Sequence, residues 1–555
     1  MPTVTLNRKV VEKLVEKKLP EEKLKDRISM LGTDLEKVTP EEIIVEIFPN
    51  RPDLLSEQGF ARAFSSFMGI QPGLKKYEIK KSEYKVIVDT SVKMRPYMVA
   101  AIVKNVKFDD ERIREIMQVQ EKLSTTHGRN RKKSEYGFYP LEKVHFPLTY
   151  IAKDPKKVKF KPLGFEEEML ALKVEEVHPK GIAYKWLAED WRKQGYTDYP
   201  FLIDNKGSIM AMFPYTNSND TGKIDETTRN VFIECTGIDL NNVKIALNIL
   251  VTMLADMGGE IYSIEMEYPD KTITTPDLTP TKMKVDLEYI NRRLGLTLKE
   301  QEVKKLLEQM GYGYEKGNAL IPAYRGDILH QCDLGEDIAI AYGYEHIPEE
   351  LPKIATLGKE SPFEKLKDKI AQLLIGIPLH EVSTYHVSNR NQQCEKMNYR
   401  QEVVELANAL TEEYNIMRVW LIPSLLEVLK NNKHHEYPQN IFMMGRVFHL
   451  HPKTETGTEE RTMLSVMRCH EGVDYTEVKQ ILDYIMRMLT LSYETQETEH
   501  ASFIPGRVAS VMVQCKNLGF IGELSPEVLK NFELDMPVAC FEIDLSLMAE
   551  LLRKG

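Results

Sequence analysis

The chain lacks the marks of a membrane or secreted protein. It contains no run of about 18 apolar residues, so no helix able to span a bilayer is expected. Residues 1–19 carry charges throughout, without the apolar centre of a signal peptide. Its six cysteines, Cys235, Cys332, Cys394, Cys469, Cys515 and Cys540, are scattered, with no CxxC pair and no zinc spacing, which points to reduced thiols in a cytoplasmic protein. There is no GxGxxG loop, no P-loop, no Ser/His/Asp or Cys/His catalytic spacing and no repeat of about 20–50 residues, which removes the simplest nucleotide-binding, hydrolytic and solenoid readings. Nor is there an excess of cations. Lys and Arg number 74 against 84 Asp and Glu, and a net charge of −10 argues against broad wrapping of nucleic acid while leaving local basic patches open. What remains is an ordinary soluble composition, 42% hydrophobic and 28% charged, in 555 residues, enough for about three to five domains with their own cores.

Against that background four carboxylates stand out: Asp327, Asp333, Glu336 and Asp337. The last three stand at i, i+3 and i+4, so a helix places them on one face. Asp327 comes earlier, after the apolar run Ala319–Tyr324 and the flexible Gly326, where a loop folding back would bring it to the others. Uncompensated, such a cluster repels itself, and a hard divalent cation, Mg²⁺ or Ca²⁺, would resolve the conflict with all-oxygen ligands. The plainer account is that a helix dipole favours acids in the first turn, and EF-hand spacing is absent.

Periodicity and turn chemistry divide the chain at 1–83, 84–268, 269–350 and 351–555. In the first part Ile43–Phe48 reads as a strand, followed by a turn at Asn50–Asp53 and a helix over Leu54–Met68; the charged stretch Lys75–Lys85 marks the boundary. The second part is mixed α/β, with strands at Pro96–Lys104 and Leu172–Glu176 and helices at Glu111–Ser124 and Val243–Met257, the latter stopped by Gly258-Gly259. His127–Lys133 is the densest basic run, readable as a phosphate-contacting loop or, more simply, as a solvated turn. In the third part helices Leu287–Leu294 and Leu298–Met310 make a helix–turn–helix without the Arg, Asn and Gln cluster of a major-groove reader. The last part carries helices at Phe363–Leu374 and Ile422–Lys430 and mostly antiparallel strands at Asn440–His449, Arg461–Cys469, Val508–Gln514 and Val538–Ile543. His434-His435 reads as an exposed helix end rather than a metal site.

Eight segments carry a resemblance in order along the chain: 1–8 (MPTVTLNR), 48–56 (FPNRPDLLS), 95–101 (RPYMVAA), 128–133 (GRNRKK), 178–181 (HPKG), 321–330 (IPAYRGDILH), 336–344 (EDIAIAYGY) and 502–507 (SFIPGR). Together they resemble the β subunits of phenylalanine–tRNA ligase of the archaeal and eukaryotic type. The resemblance implies a multidomain α+β chain: an N-terminal α/β module, an α/β editing-type domain, a winged-helix-like small domain, and a C-terminal class II synthetase-like antiparallel sheet with helices that is catalytically inactive. It implies one half of a cytoplasmic (αβ)₂ enzyme that uses ATP to join phenylalanine to tRNA(Phe), with the aminoacylation site on the α subunit. It also implies a Mg²⁺ site at the boundary with that subunit, matched by Asp327, Asp333, Glu336 and Asp337. Class II catalysis needs one Arg after a strand and a second in a Gly-rich strand–helix; the closing segment Gly519–Pro526 contains none, so this chain alone is not expected to activate an amino acid.

The family further implies a hydrolytic pocket that removes mischarged tyrosine, and Leu202, Ala211, Asn217, Glu234 and Thr236 fall at its positions. Here the chain departs from the pattern. The family strand Ser-Leu/Met-Pro-Pro-Ile-Ile-Asn reads Ala211-Met212-Phe213-Pro214-Tyr215-Thr216-Asn217, and Ile-Gly-Ile-His-Asp reads Tyr136-Gly137-Phe138-Tyr139-Pro140. A Ser, a His and an Asp are missing, whereas recognition of a tyrosine hydroxyl depends on buried polar partners. Two expectations compete: retained editing of Tyr-tRNA(Phe), or a scaffold with Phe213 and Tyr215 packed into a former cavity. From a different class comes a diverged paralogue that binds nucleic acid or assembles without aminoacylation. A free-standing hydrolase of mischarged tRNA is weakened by the same substitutions.

Overall fold

The computed structural model describes residues 2–351 and 358–554. The chain divides after Leu351 into two compact units. The expected start of the last domain, at 351, abuts residues 352–357, which lie outside the described residues. Among the described residues no helix is long and apolar enough to cross a membrane.

The first unit opens on the strand Thr3–Asn7, whose alternation buries Val4 and Leu6. It pairs antiparallel with Glu42–Glu46, which also pairs with Asp34–Val38. The helix expected from Leu54 begins instead at Glu57, after a single 3₁₀ turn over Pro52–Leu54. Two local bonds delay it. Arg51 holds Asp53 bidentately at 2.9 and 2.8 Å, and Ser56 caps the helix by accepting from the Gly59 N–H at 3.0 Å. The stretch 75–85 contributes strands rather than a free linker: Ile79–Lys80 runs parallel to Glu260–Tyr262, and Lys85–Val88 parallel to both Ile264–Glu267 and Leu148–Lys153.

Two sheets carry the middle of this unit. One orders Ile79–Lys80, Glu260–Tyr262, Tyr97–Lys104, Val231–Gly237 and Ser134–Pro140; the other has seven strands, with Thr216–Asn217, Ile209–Met212, Tyr199–Ile203 and Leu148–Lys153 at one side. The strand Tyr97–Lys104 shows why they stack. Val99, Ala101 and Val103 face one core with the helices Asp110–Thr125 and Leu240–Asp256, while Met98, Ala100 and Ile102 face the other with the seven-stranded sheet. Leu172–Glu176, expected as a strand, is helical, a 3₁₀ turn over Ala171–Lys173 running into Val174–Val177. Its buried residues Ala171, Val174 and Glu175 stand at i, i+3 and i+4, a pattern that so short a run of sequence does not separate from alternation.

Residues 281–342 form three helices, Leu287–Leu294, Glu300–Gln309 and Gln331–Tyr342, against an antiparallel sheet of Thr281–Lys284, Asn318–Ile321 and Gly313–Glu315. Asp286 caps the first helix and Gly295, at φ +68°, ends it.

The second unit is built on a seven-stranded sheet ordered His380–Glu381, Gln439–Leu450, Thr458–Cys469, Val538–Asp544, Lys516–Leu524, Phe503–Val513 and Glu494–Glu497. Only the first pair is parallel. Met467 and Cys540 face a core with Leu425 and Leu429, and Val466 and Phe541 face a second core with Leu482 and Ile485. His434 and His435 are exposed beyond the helix Ile422–Asn431.

Candidate functional site

A cavity of about 520 Å³ opens between the two stacked sheets and the helix Asp110–Thr125. That helix is capped by Asp109, which accepts from the Arg112 N–H, and it presents Ile113, Ile116, Met117 and Gln120 at i, i+3, i+4 and i+7 to the cavity. Strand Ser134–Pro140 supplies Glu135, Tyr136 and Phe138; the segment after strand Ile209–Met212, which holds the cis Phe213–Pro214 peptide, supplies Phe213, Tyr215, Thr216 and Asn217. Phe213 and Tyr215 are buried, yet they line the cavity and do not fill it. Phe213 packs edge-on against Tyr150 at 5.5 Å, and the Tyr215 hydroxyl donates to Glu175 Oε1 at 3.0 Å.

Of the five expected pocket residues, Asn217 and Glu234 line this cavity. They are joined through Tyr139. Its hydroxyl donates to Asn217 Oδ1 at 2.9 Å and lies 3.3 Å from Glu234 Oε1. Burial, reinforced by the charge of Glu135, raises the Glu234 carboxyl well above the usual range. Gly137, opposite Glu234 on the paired strand, makes room: a Cβ there would sit 2.3 Å from Glu234 Oε1. Leu202 and Ala211 do not line the cavity; they pair in register and are fully buried in the core behind it. Thr236 lies outside it too, accepting from Arg95 Nε at 3.0 Å through its hydroxyl.

Sequence reasoning missed Arg131, Glu135, His178 and Lys180, all of which line the cavity. The basic run 127–133 is neither a solvated turn nor a free phosphate loop at Arg131. Arg129, Asn130 and Arg131 adopt left-handed φ of 49°, 52° and 64°, and the Arg131 N–H bonds back to Ser124 O, which drives this side chain inward. Its Nη1 donates to Pro214 O at 3.0 Å, and its guanidinium lies 4.7 Å from the Tyr184 ring centroid. His178 caps the helix Pro179–Lys193, accepting from the Lys180 N–H through Nδ1, and burial lowers its pKa. The two matched segments 128–133 and 178–181 were the available signal, because both enter the cavity wall.

The carboxylate quartet resolves its repulsion differently from the metal expectation. Arg325 holds both oxygens of Asp327 at 2.8 and 2.7 Å and reaches Asp337 Oδ2 at 2.9 Å, where the Tyr312 hydroxyl also donates. Burial opposes the charge of Arg325, but Asp337, Tyr312 and Asp327 outweigh it and raise its pKa. Asp333 Oδ2 accepts from the Leu329 and His330 N–H groups at 2.7 Å, and Glu336 Oε1 from the Tyr344 hydroxyl at 3.1 Å. Among the described residues, the acids whose ligand oxygens gather within 4.8 Å are Asp34, Glu36 and Glu46, not this quartet. The four therefore do not form a cation cage within this chain.

In the second unit two arginines, Arg418 and Arg507, make contacts within the chain. Arg418, buried after the strand Ile416–Met417, donates Nε to Arg446 O at 2.7 Å, and Arg507, on the neighbouring strand, donates Nη1 to Glu523 Oε2 of the closing segment at 2.5 Å.

Comparison with known proteins spans the same regions. Residues 347–545 match the family model described as phenylalanyl tRNA synthetase beta chain CLM domain, and residues 283–344 match the tRNA synthetase B5 domain. The chain is 41% identical to the phenylalanine–tRNA ligase beta subunit of Pyrococcus abyssi, over 98% of this chain and 99% of that one. It is also 41% identical to that of Archaeoglobus fulgidus, over 98% of each. The crystal structure of an N-terminal fragment of the phenylalanyl-tRNA synthetase beta subunit from Pyrococcus horikoshii is similar over 62% of this chain and all of the fragment, at 38% identity and a TM-score of 0.58.

Proposed function

The chain belongs to the family of phenylalanine–tRNA ligase β subunits, and from that premise we propose that it works as the β half of an (αβ)₂ ligase that charges tRNA(Phe) in the cytoplasm. ATP-dependent amino-acid activation resides on the α subunit in this reading. The end-to-end likeness, at 41% identity over 98% of the chain, carries it. The absence of any Arg from the closing segment Gly519–Pro526 supports it, since class II chemistry needs a guanidinium there for the nucleotide phosphate. The four-domain division at 83/84, 268/269 and 350/351 belongs to the same proposal. Affinity purification of the chain from its own cells tests it: a roughly equimolar class II subunit is expected, and phenylalanyl-adenylate formed by the isolated chain contradicts it.

The cavity beside Glu234 is proposed as the hydrolytic site for mischarged tRNA(Phe). Its open volume and its polar Glu234–Tyr139–Asn217 set favour this over the scaffold reading. The Glu234 carboxyl would bind a substrate hydroxyl, with Asn217 oriented through Tyr139, and the apolar wall would exclude bulk water.

The Mg²⁺ proposal narrows to the side of the quartet that Arg325 leaves open. Asp333, Glu336 and Asp337 would be the acids that face it, but their oxygens do not converge within 4.8 Å in this chain, so the α subunit would have to gather and complete the site. When bound, the ion would neutralise charge at the subunit boundary. Chelation of divalent ions is expected to loosen αβ assembly; a tetramer equally stable in excess chelator contradicts it.

A further inference from the structure

Three buried polar atoms around the cavity have no hydrogen-bond partner in the chain: Arg131 Nε, Glu135 Oε2 and Glu234 Oε2. Buried polar atoms are almost always paired, and one left alone costs stability, so three on one cavity wall mark a place for a polar ligand. The two acids are neighbours. On the paired strands Gly137 lies opposite Glu234 and Glu135 opposite Thr236, which puts Glu135 and Glu234 diagonally adjacent on the same face of the sheet. They are held differently. Glu234 belongs to the set with Tyr139 and Asn217, whereas Glu135 faces Arg131, its Oε2 3.5 Å from Nη1, an ion pair too long to be a good hydrogen bond.

Arg131 itself is fixed. Nη1 is bound to the carbonyls of Pro214 and Tyr215, the plane rests on Tyr184, and the Arg131 carbonyl is held by Arg95 Nη1 at 3.0 Å. A carboxylate oxygen and a guanidinium N–H, both unfilled, therefore stand close together beside an apolar wall that includes Ile116, Phe138, Met212 and Phe213. The matching ligand carries a cation, a carbonyl acceptor and an apolar body on adjacent atoms. An α-amino ester has that arrangement: its ammonium and its side chain sit on the carbon next to the ester carbonyl.

We propose that Glu135 and Arg131 grip the backbone of the aminoacyl group, Glu135 accepting its α-ammonium and Arg131 Nε donating to its ester carbonyl, so that the pocket takes only aminoacyl esters with a free amino group. The proposal rests on the hydrolytic reading for its reaction and on the cavity alone for binding. Glu135 and Arg131 are specificity residues in this account, and the bond is broken with them in place rather than by them.

The assembled complex is tested with Tyr-tRNA(Phe) and with the same RNA esterified by 3-(4-hydroxyphenyl)propionate, which lacks only the amine. Binding is measured separately with adenosine carrying each acyl group in a non-hydrolysable 3′-amide. Loss of one charge-assisted hydrogen bond should lower both deacylation and amide binding for the desamino form by about ten- to hundredfold. Glu135→Gln should bring the ratio between the two forms close to one; a merely structural role would lower both forms equally and keep the ratio. Equal handling of the two forms by the native protein, retained discrimination in Glu135→Gln, or binding of neither amide overturns the grip. Amine-dependent binding of the amide without deacylation upholds the grip and overturns the hydrolytic reading instead.

Discussion

The two acid-rich sites of the N-terminal unit treat burial in opposite ways. Around residues 325–337 the chain supplies its own counter-charge, because Arg325 spans Asp327 and Asp337, and backbone N–H groups occupy Asp333. In the cavity at Glu234 the chain stops short, leaving one guanidinium N–H and two carboxyl oxygens without hydrogen-bond partners. The count of acids in the sequence points to the first as the ligand site. The pattern of satisfied and unsatisfied atoms adds the second as a candidate. A cluster that supplies its own counter-charge leans on it for stability; one that does not leaves more of its polar atoms to an outside partner.

The sharpest way to break this comparison is Arg325→Met, which leaves Asp327 and Asp337 nearly buried without a counter-charge. A loss of about 3–5 kcal/mol in urea unfolding is expected for a broken buried pair. If millimolar Mg²⁺ restores the variant fully, or if it unfolds like the native chain, self-neutralisation is not what stabilises that site. Gly137→Ala comes next. Its Cβ would press on Glu234 Oε1, so a cost of about 1–3 kcal/mol is expected together with loss of deacylation; unchanged activity would mean that Glu234 need not lie where it does. The smallest effect concerns pH. Because the folded pKa of Glu234 lies above its ordinary value of 4.5, the native state holds this proton more tightly than the unfolded chain. Its contribution is then present at acid pH and lost as pH rises from about 4.5 through the folded pKa. Urea titrations at pH 5 and pH 8 should show a smaller loss on alkalinisation in Glu234→Gln than in the native protein; identical slopes would mean that Glu234 is charged throughout.

Much of the fold was legible because its elements bury one face or two. The helices Asp110–Thr125 and Leu240–Asp256 and the strands Gln439–Leu450, Thr458–Cys469 and Val538–Asp544 lie within a few residues of their expected limits, whereas Phe503–Val513 starts earlier than expected and Lys516–Leu524 was not foreseen. The misses have local causes: the Arg51–Asp53 pair and Ser56 cap that delay a helix, and the short helical run at 171–177 with only three buried residues. The site was less legible. Asn217 and Glu234 could be placed through the resemblance, but Leu202 and Ala211 turned inward to the core, and Thr236 serves Arg95. Arg131 could not be placed at all, since its partners are carbonyls more than eighty residues away and its loop reads as a hydrophilic turn. Arg325 was visible in the sequence as a residue but not as a counter-ion. Spacing along a helix reveals which acids share a face, and nothing in it reveals which cation the loop before them will insert.

The measurement that bears most directly on this account is the deacylation of preformed Tyr-tRNA(Phe) by the purified αβ complex, with Glu234→Ala in the same complex as the comparison. Hydrolysis well above the spontaneous rate, abolished by that substitution while phenylalanine charging continues, is the predicted result. Hydrolysis at the spontaneous rate in the native complex would contradict it and return the cavity to a scaffold.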